Sequence, residues 1–148
     1  MIADVITMYD TFCECNEKYF DCELPIPEFA QLHGPRTCGY FEYTMGGWFD
    51  KGVYSPIISI TDYYDFTPCQ FRDIMVHEMI HFYLALTGKD RNCHHGKQFK
   101  TMAQQLNKTY RLHIAPTLDI SKYKKNPNHL NWWQRLFKRR RRSRLCNI

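Results

Sequence analysis

No acidic residue follows Asp119, no glutamate follows Glu78, and no two cysteines stand as C-x-x-C in this sequence. The missing C-x-x-C matters most for the seven cysteines, an odd number scattered at positions 13, 15, 22, 38, 69, 93 and 146. Such an arrangement offers neither the paired thiolates of a zinc ribbon nor an even disulfide framework, so reduced thiols and a cytoplasmic location are expected. Cys13 and Cys15 do not pair as metal ligands on a helix, because side chains two positions apart diverge by about 200°. No apolar run approaches the roughly 18 residues of a membrane-spanning helix. The Met1 end carries Asp4 and Asp10 and lacks the basic-then-apolar pattern of a secretory signal. Neither membrane insertion nor standard secretion is expected, and no segment repeats.

What is present suffices for one core. The 148 residues are 44% hydrophobic and 16% aromatic, which predicts a single domain. The formal charge of +5 conceals a division. Residues 1–121 hold ten Lys+Arg against fifteen Asp+Glu, net −5, whereas residues 122–148 hold ten Lys+Arg and no acid, net +10. The expected organisation is a globular body over 1–121 and a basic tail over 122–148, and that charge suits a polyanionic partner.

Along the body, Ile2, Val5, Ile6, Tyr9, Phe12, Cys13, Tyr19 and Phe20 recur at helical spacing over 2–20. Leu24-Pro25-Ile26-Pro27 ends that helix, and Glu28–His33 reads as a short strand. The aromatic stretch Cys38–Phe49 (Tyr40, Phe41, Tyr43, Trp48, Phe49) alternates like a strand, with Gly46-Gly47 inside it as a hairpin turn or a bulge, and Ile57–Thr61 is β-branched. Together these predict a small sheet, mostly antiparallel or mixed. Thr67-Pro68-Cys69-Gln70 then carries an N-cap, a proline at the first helical position and a capping box. The helix should run to about Thr87, with Gly88 as its stop. Apolar residues on most of its sides (Phe71, Ile74, Met75, Ile80, Phe82, Leu84) predict a buried helix. A further helix is expected from about His95 to Tyr110, with Phe99, Met102, Ala103 and Leu106 on one face. Beyond Arg111, Ile114-Ala115-Pro116 and Ile120 read as loop or short strand.

The buried helix contains His77-Glu78-Met79-Ile80-His81, an H-E-x-x-H pattern. Histidines four apart lie on one helical face and can hold one metal ion, with the intervening Glu within reach of a metal-bound water. A catalytic zinc ordinarily takes three protein ligands. Leu84 and Thr87 stand where the metzincin extension requires Gly and His, and the lack of a later glutamate removes a thermolysin-like third ligand. Asp90, Cys93, His94, His95, His113, Asp119 and His129 remain. His95 fits best, one turn before Phe99 on the face of Met102 and Leu106, while His94 would point about 100° away. Cys93 and then Asp90 follow.

These residues resemble a family. His77-Glu78-Met79-Ile80-His81 followed by His95-Gly96-Lys97-Gln98-Phe99 is similar to the H-E-M-x-H…H-G-x-x-F of the SprT-like metallopeptidases, the family of the DNA-dependent protease Spartan. Tyr19-Phe20 with Glu23-Leu24-Pro25, and Cys38-Gly39-Tyr40-Phe41, resemble its earlier segments, so the likeness covers roughly residues 15–110. It implies an α+β, zincin-like (minigluzincin-type) fold. It also implies one Zn2+ on His77, His81 and His95, Glu78 as the catalytic base and a protein substrate, with DNA-associated or DNA-crosslinked proteins as the target class. The cysteine-rich ribbon of some relatives is absent. The oxyanion donor is not identified by the sequence; Tyr40, Tyr43 and Tyr110 are the options, and Tyr83 should point elsewhere. A second reading is a nucleic-acid-binding or transcription-linked protein with a structural zinc, against which Glu78 argues, since a structural site needs no base.

In the tail, Trp132, Trp133 and Phe137 precede Lys138, Arg139, Arg140, Arg141, Arg142 and Arg144. Basic side chains bind phosphates and aromatic rings stack on unpaired bases, so single-stranded or damaged DNA is the expected partner. A monomer with no membrane association, cytoplasmic or nucleoid-associated, completes the expectation.

Overall fold

The computed structural model describes residues 1–47, 50, 52–89 and 94–129. In chain order the elements are α1 (Val5–Phe20), β1 (Glu28–Leu32), β2 (Gly39–Met45), β3 (Val53–Thr61), β4 (Tyr64–Asp65), α2 (Pro68–Leu86), α3 (Lys97–Tyr110) and β5 (Lys124–Lys125), with a 3-10 turn at Ile120–Lys122 before β5. Among the described residues the protein is α+β: three helices and two small sheets.

α2 is the centre, and its sequence explains why. Thr67 accepts from the Gln70 N–H at 3.2 Å, and the Gln70 side chain accepts from the Thr67 N–H at 2.9 Å, closing the expected capping box ahead of Pro68. Gly88 leaves the helix at φ 69°, the left-handed conformation glycine adopts without steric penalty. Between these ends Phe71, Ile74, Met75, Val76, Met79, Ile80 and Phe82 are completely buried. α1, β2, β3 and α3 all pack on this helix. Its burial on every side is the reason polar groups within it must find partners.

α1 begins at the Asp4 N-cap, later than the apolar spacing suggests, because Asp4 accepts from the Thr7 N–H and Ile2 lies outside the helix. It ends at Asp21 in the left-handed conformation, after which Asn16 donates to the Leu24 carbonyl and accepts from the Leu24 N–H.

The three-stranded sheet is mixed rather than mostly antiparallel. Its order is β1-β3-β2, with β3 parallel to β1 (Glu28 beside Ile57) and antiparallel to β2 (Phe41 beside Ile58). The loop from His33 to Cys38 holds β1 and β2 two strand spacings apart, and β3 fills the gap. Thr61 and Tyr64 hydroxyls donate to the Gly34 and Pro35 carbonyls and fasten that loop. β2 ends at Met45, so the glycine pair belongs to the turn, where the Gly46 N–H donates to the Gly52 carbonyl at 3.2 Å. The bulge lies instead between Glu42 and Thr44. Trp48 and Phe49 lie outside the described residues. On β2, Phe41 is buried and stacks on Phe82 of α2 with ring centroids 5.1 Å apart.

Ordered chain continues past Ser121. β5 pairs with β4, the Tyr123 ring packs on Phe66 at 5.3 Å, and buried Asn126 bonds the Tyr63 and Asp62 carbonyls. The first residues of the basic segment are therefore attached to the body: apolar Tyr123 and the amide of Asn126 outweigh the preference of neighbouring lysines for water. Trp132, Trp133, Lys138, Arg139, Arg140, Arg141, Arg142 and Arg144 lie outside the described residues. No helix among the described residues is long and apolar enough to cross a membrane.

Candidate metal centre

His77 and His81 sit one turn apart on α2 and are both buried. Their rings meet that of His95, which arrives from the α3 side. His95 Nε2 lies 2.9 Å from His77 Nε2 and 3.1 Å from His81 Nε2, and the ligand atoms of all three fall within 4.8 Å of one another. α3 starts at Lys97 with Gly96 as its N-cap, so His95 precedes the helix instead of occupying its first turn. The helical-face argument selects the residue that joins the pair, but His95 stands two residues before the helix, with its ring against that of Phe99. Phe99 is fully buried, and its ring centroid is 4.7 Å from each of the three imidazoles. It forms the apolar floor of the site.

The protonation of His77 follows from its partner. Its Nδ1 lies 3.0 Å from the Ala115 carbonyl, and a carbonyl only accepts, so Nδ1 carries the proton and Nε2 presents a lone pair to His95. Burial, with the neighbouring His81 and His95, lowers the His77 pKa to about 3, which keeps the ring neutral. This donor set fits a zinc ion. A tetrahedron with Zn–N bonds of about 2.0–2.1 Å has an edge of roughly 3.3–3.4 Å, a few tenths of an ångström beyond the two Nε2 separations. The ring oriented by an outer carbonyl is also the arrangement metal-ligating histidines adopt.

Glu78 turns from His77 toward the start of β2. It is buried, and burial pushes its carboxyl up to about 8. Gly39 faces it so closely that a Cβ at that position would lie 3.0 Å from Glu78 Cγ and Cδ and nearer still to Oε1. The neighbouring Cys38 thiol is pushed up to about 11, first by burial and then by the Glu78 carboxylate.

Other third-ligand options lie apart from the pair. The His113 ring is exposed, 3.9 Å from Asp73, the Asp119 carboxylate accepts from Ser121, and the His129 ring lies 3.3 Å from Asp62. His94 is exposed. Asp90 and Cys93 lie outside the described residues. Among the tyrosines, Tyr83 packs on Phe20 and Tyr110 on Tyr19, both toward α1, while Tyr43 stacks on Phe41 and Tyr40 is half exposed on β2. Sequence reasoning does not find the Ala115 carbonyl, because a backbone acceptor has no residue-type signature. It quotes Gly39 without finding its role beside Glu78, since nothing local to a strand announces what lies opposite.

Residues 60–124 match the model of the SprT-like family, a metallopeptidase-type family. No curated protein matches the chain. The matched segment runs from the end of β3 through both histidine-bearing stretches to β5, and it contains His77, Glu78, His81, His95 and Ala115. From Ile60 to Lys124 this chain is similar to the SprT-like family.

Proposed function

We propose that this protein is a zinc-dependent endopeptidase with a zincin-like (minigluzincin-type) fold, holding one zinc ion on His77, His81 and His95. The observation that carries this reading is the convergence of three imidazole Nε2 atoms beside a buried glutamate that follows the first of them. When bound, zinc supplies an acidified water at that position. Glu78 is the group that takes and returns the proton. Burial raises its pKa into the range where a carboxylate does so near neutral pH, and Gly39 leaves room for the carboxylate. A structural zinc site has no use for such a group, which favours the enzyme over a non-catalytic nucleic-acid-binding protein.

β3 is paired on both sides, whereas the outer edge of β2 is unpaired among the described residues and begins at Gly39, opposite Glu78. A substrate peptide adding to that edge as a strand would pass close to the base. The basic segment after Lys122, with its two tryptophans, supports DNA-associated proteins as the substrate class. Glu78→Gln should retain zinc and lose cleavage of a denatured protein substrate; full activity in that variant contradicts the reading. Removing residues 130–148 should weaken binding to single-stranded DNA and flatten its salt dependence, since each lost phosphate contact lowers the slope. Unchanged affinity and slope contradict the DNA assignment.

A further inference from the structure

α3 contributes more to the centre than Phe99. It ends at Arg111 in the left-handed conformation (φ 55°), which reverses the chain and sends residues 112–115 back along the helix toward α2. That return segment has no ladder of its own to fix it. Its buried side chains, Leu112 and Ile114, hold its depth. At Ile114 its rotation is fixed by one side chain: Asn107 Nδ2 donates to the Ile114 carbonyl at 2.9 Å, and Asn107 Oδ1 accepts from the Ile114 N–H at 2.8 Å. A single planar amide thus binds both polar groups of one residue. The following carbonyl, Ala115, is the acceptor for His77 Nδ1. On the other side of Ile114, the His113 N–H donates to Asp73, one turn before His77 on α2.

We propose that Asn107 is a positioning residue of the metal centre: by clamping Ile114 it sets the Ala115 carbonyl that selects the tautomer and orientation of His77. The proposal rests on the zinc reading above. Outer partners of metal-bound histidines typically change metal affinity 10–100-fold when removed. The fold supplies its own control. Asn16 clamps Leu24 by the same two bonds after α1, which also ends in the left-handed conformation, but that clamp does not lead to the Ala115 carbonyl. Asn16→Ala and Asn107→Ala therefore remove equivalent bonds, and only the second releases Ala115.

The test compares the two variants in the full chain. Asn107→Ala should weaken zinc binding, measured by competition with a chelator, by about 10–100-fold, while Asn16→Ala leaves it unchanged at a similar loss of thermal stability. In the metal-free protein, long-range nitrogen–proton NMR of the His77 ring should show one tautomer, protonated at Nδ1, in wild type and in Asn16→Ala, and a mixture in Asn107→Ala. If Asn107→Ala does not fold, Asn107→Asp, which keeps the acceptor for Ile114 N–H and loses the donor, should show the same change at reduced size. Equal zinc affinity in both alanine variants, or a His77 tautomer indifferent to Asn107, overturns the proposal. A wild type that binds no zinc yet shows the tautomer change would refute the zinc reading and leave the clamp standing.

Discussion

Gly39 and Glu78 occupy each other's space: the first residue of β2 has no side chain where the carboxylate of α2 needs room. Gly39→Ala must therefore displace either the strand or the Glu78 side chain. A misplaced catalytic group costs on the order of 100-fold in rate, so the variant should retain zinc stoichiometry and lose turnover by about that factor. Its melting temperature should fall modestly, since overpacking costs about 1–3 kcal/mol. Steady-state kinetics beside metal analysis checks this, and wild-type turnover would show that the close approach has no catalytic consequence.

The metal-free protein should be pinched by pH from both sides. The Glu78 carboxyl is raised to about 8 from 4.5, so the stability it leaves intact below pH 4.5 is lost as pH rises toward 8. His77 is lowered to about 3 from 6.5, so stability present above pH 6.5 is lost as pH falls toward 3. Glu78→Gln cannot ionise. At about 1.36 kcal/mol per pKa unit, it should stabilise the chelator-treated protein by up to about 5 kcal/mol above pH 8 and leave it unchanged near pH 4. Denaturation across this range, with and without chelator, tests the sign; identical pH profiles for the two proteins would refute it.

Phe99 touches all three imidazoles and is fully buried. Phe99→Ala should cost about 3–5 kcal/mol as the cavity opens, and the milder Phe99→Leu should preserve folding while weakening zinc binding. Chelator competition on Phe99→Leu is the check, and unaltered affinity would reduce the ring to core packing.

Thr67 lies at the far end of α2 from His81. Thr67→Ala removes the cap and should cost about 1 kcal/mol of stability with zinc binding intact, as thermal melts and metal analysis would show. A loss of metal here would mean that fraying of the first turn reaches the centre.

Much of this was legible in the chain. The ends of α2 were readable because Thr67, Pro68, Gln70 and Gly88 act locally, and the histidine pair because four residues span one turn. His95 was legible from its spacing to Phe99, although the helix starts two residues later than that spacing suggested. The parallel pairing of β1 with β3 was not, because loop length alone does not say whether a third strand will enter the gap. Neither was the path from Asn107 through Ile114 and Ala115 to His77, which runs through backbone groups common to every residue type. Tyr123 and Asn126 were hidden by the lysines around them.

The central claim is that three histidines of this chain hold one zinc ion. Zinc per chain, measured after exhaustive dialysis on wild type and on His95→Ala, tests it most directly. The account predicts one zinc in the wild type and at least a 100-fold loss of affinity in the variant, since the site drops to two protein ligands. Equal zinc content in both proteins, or none in the wild type, would contradict it.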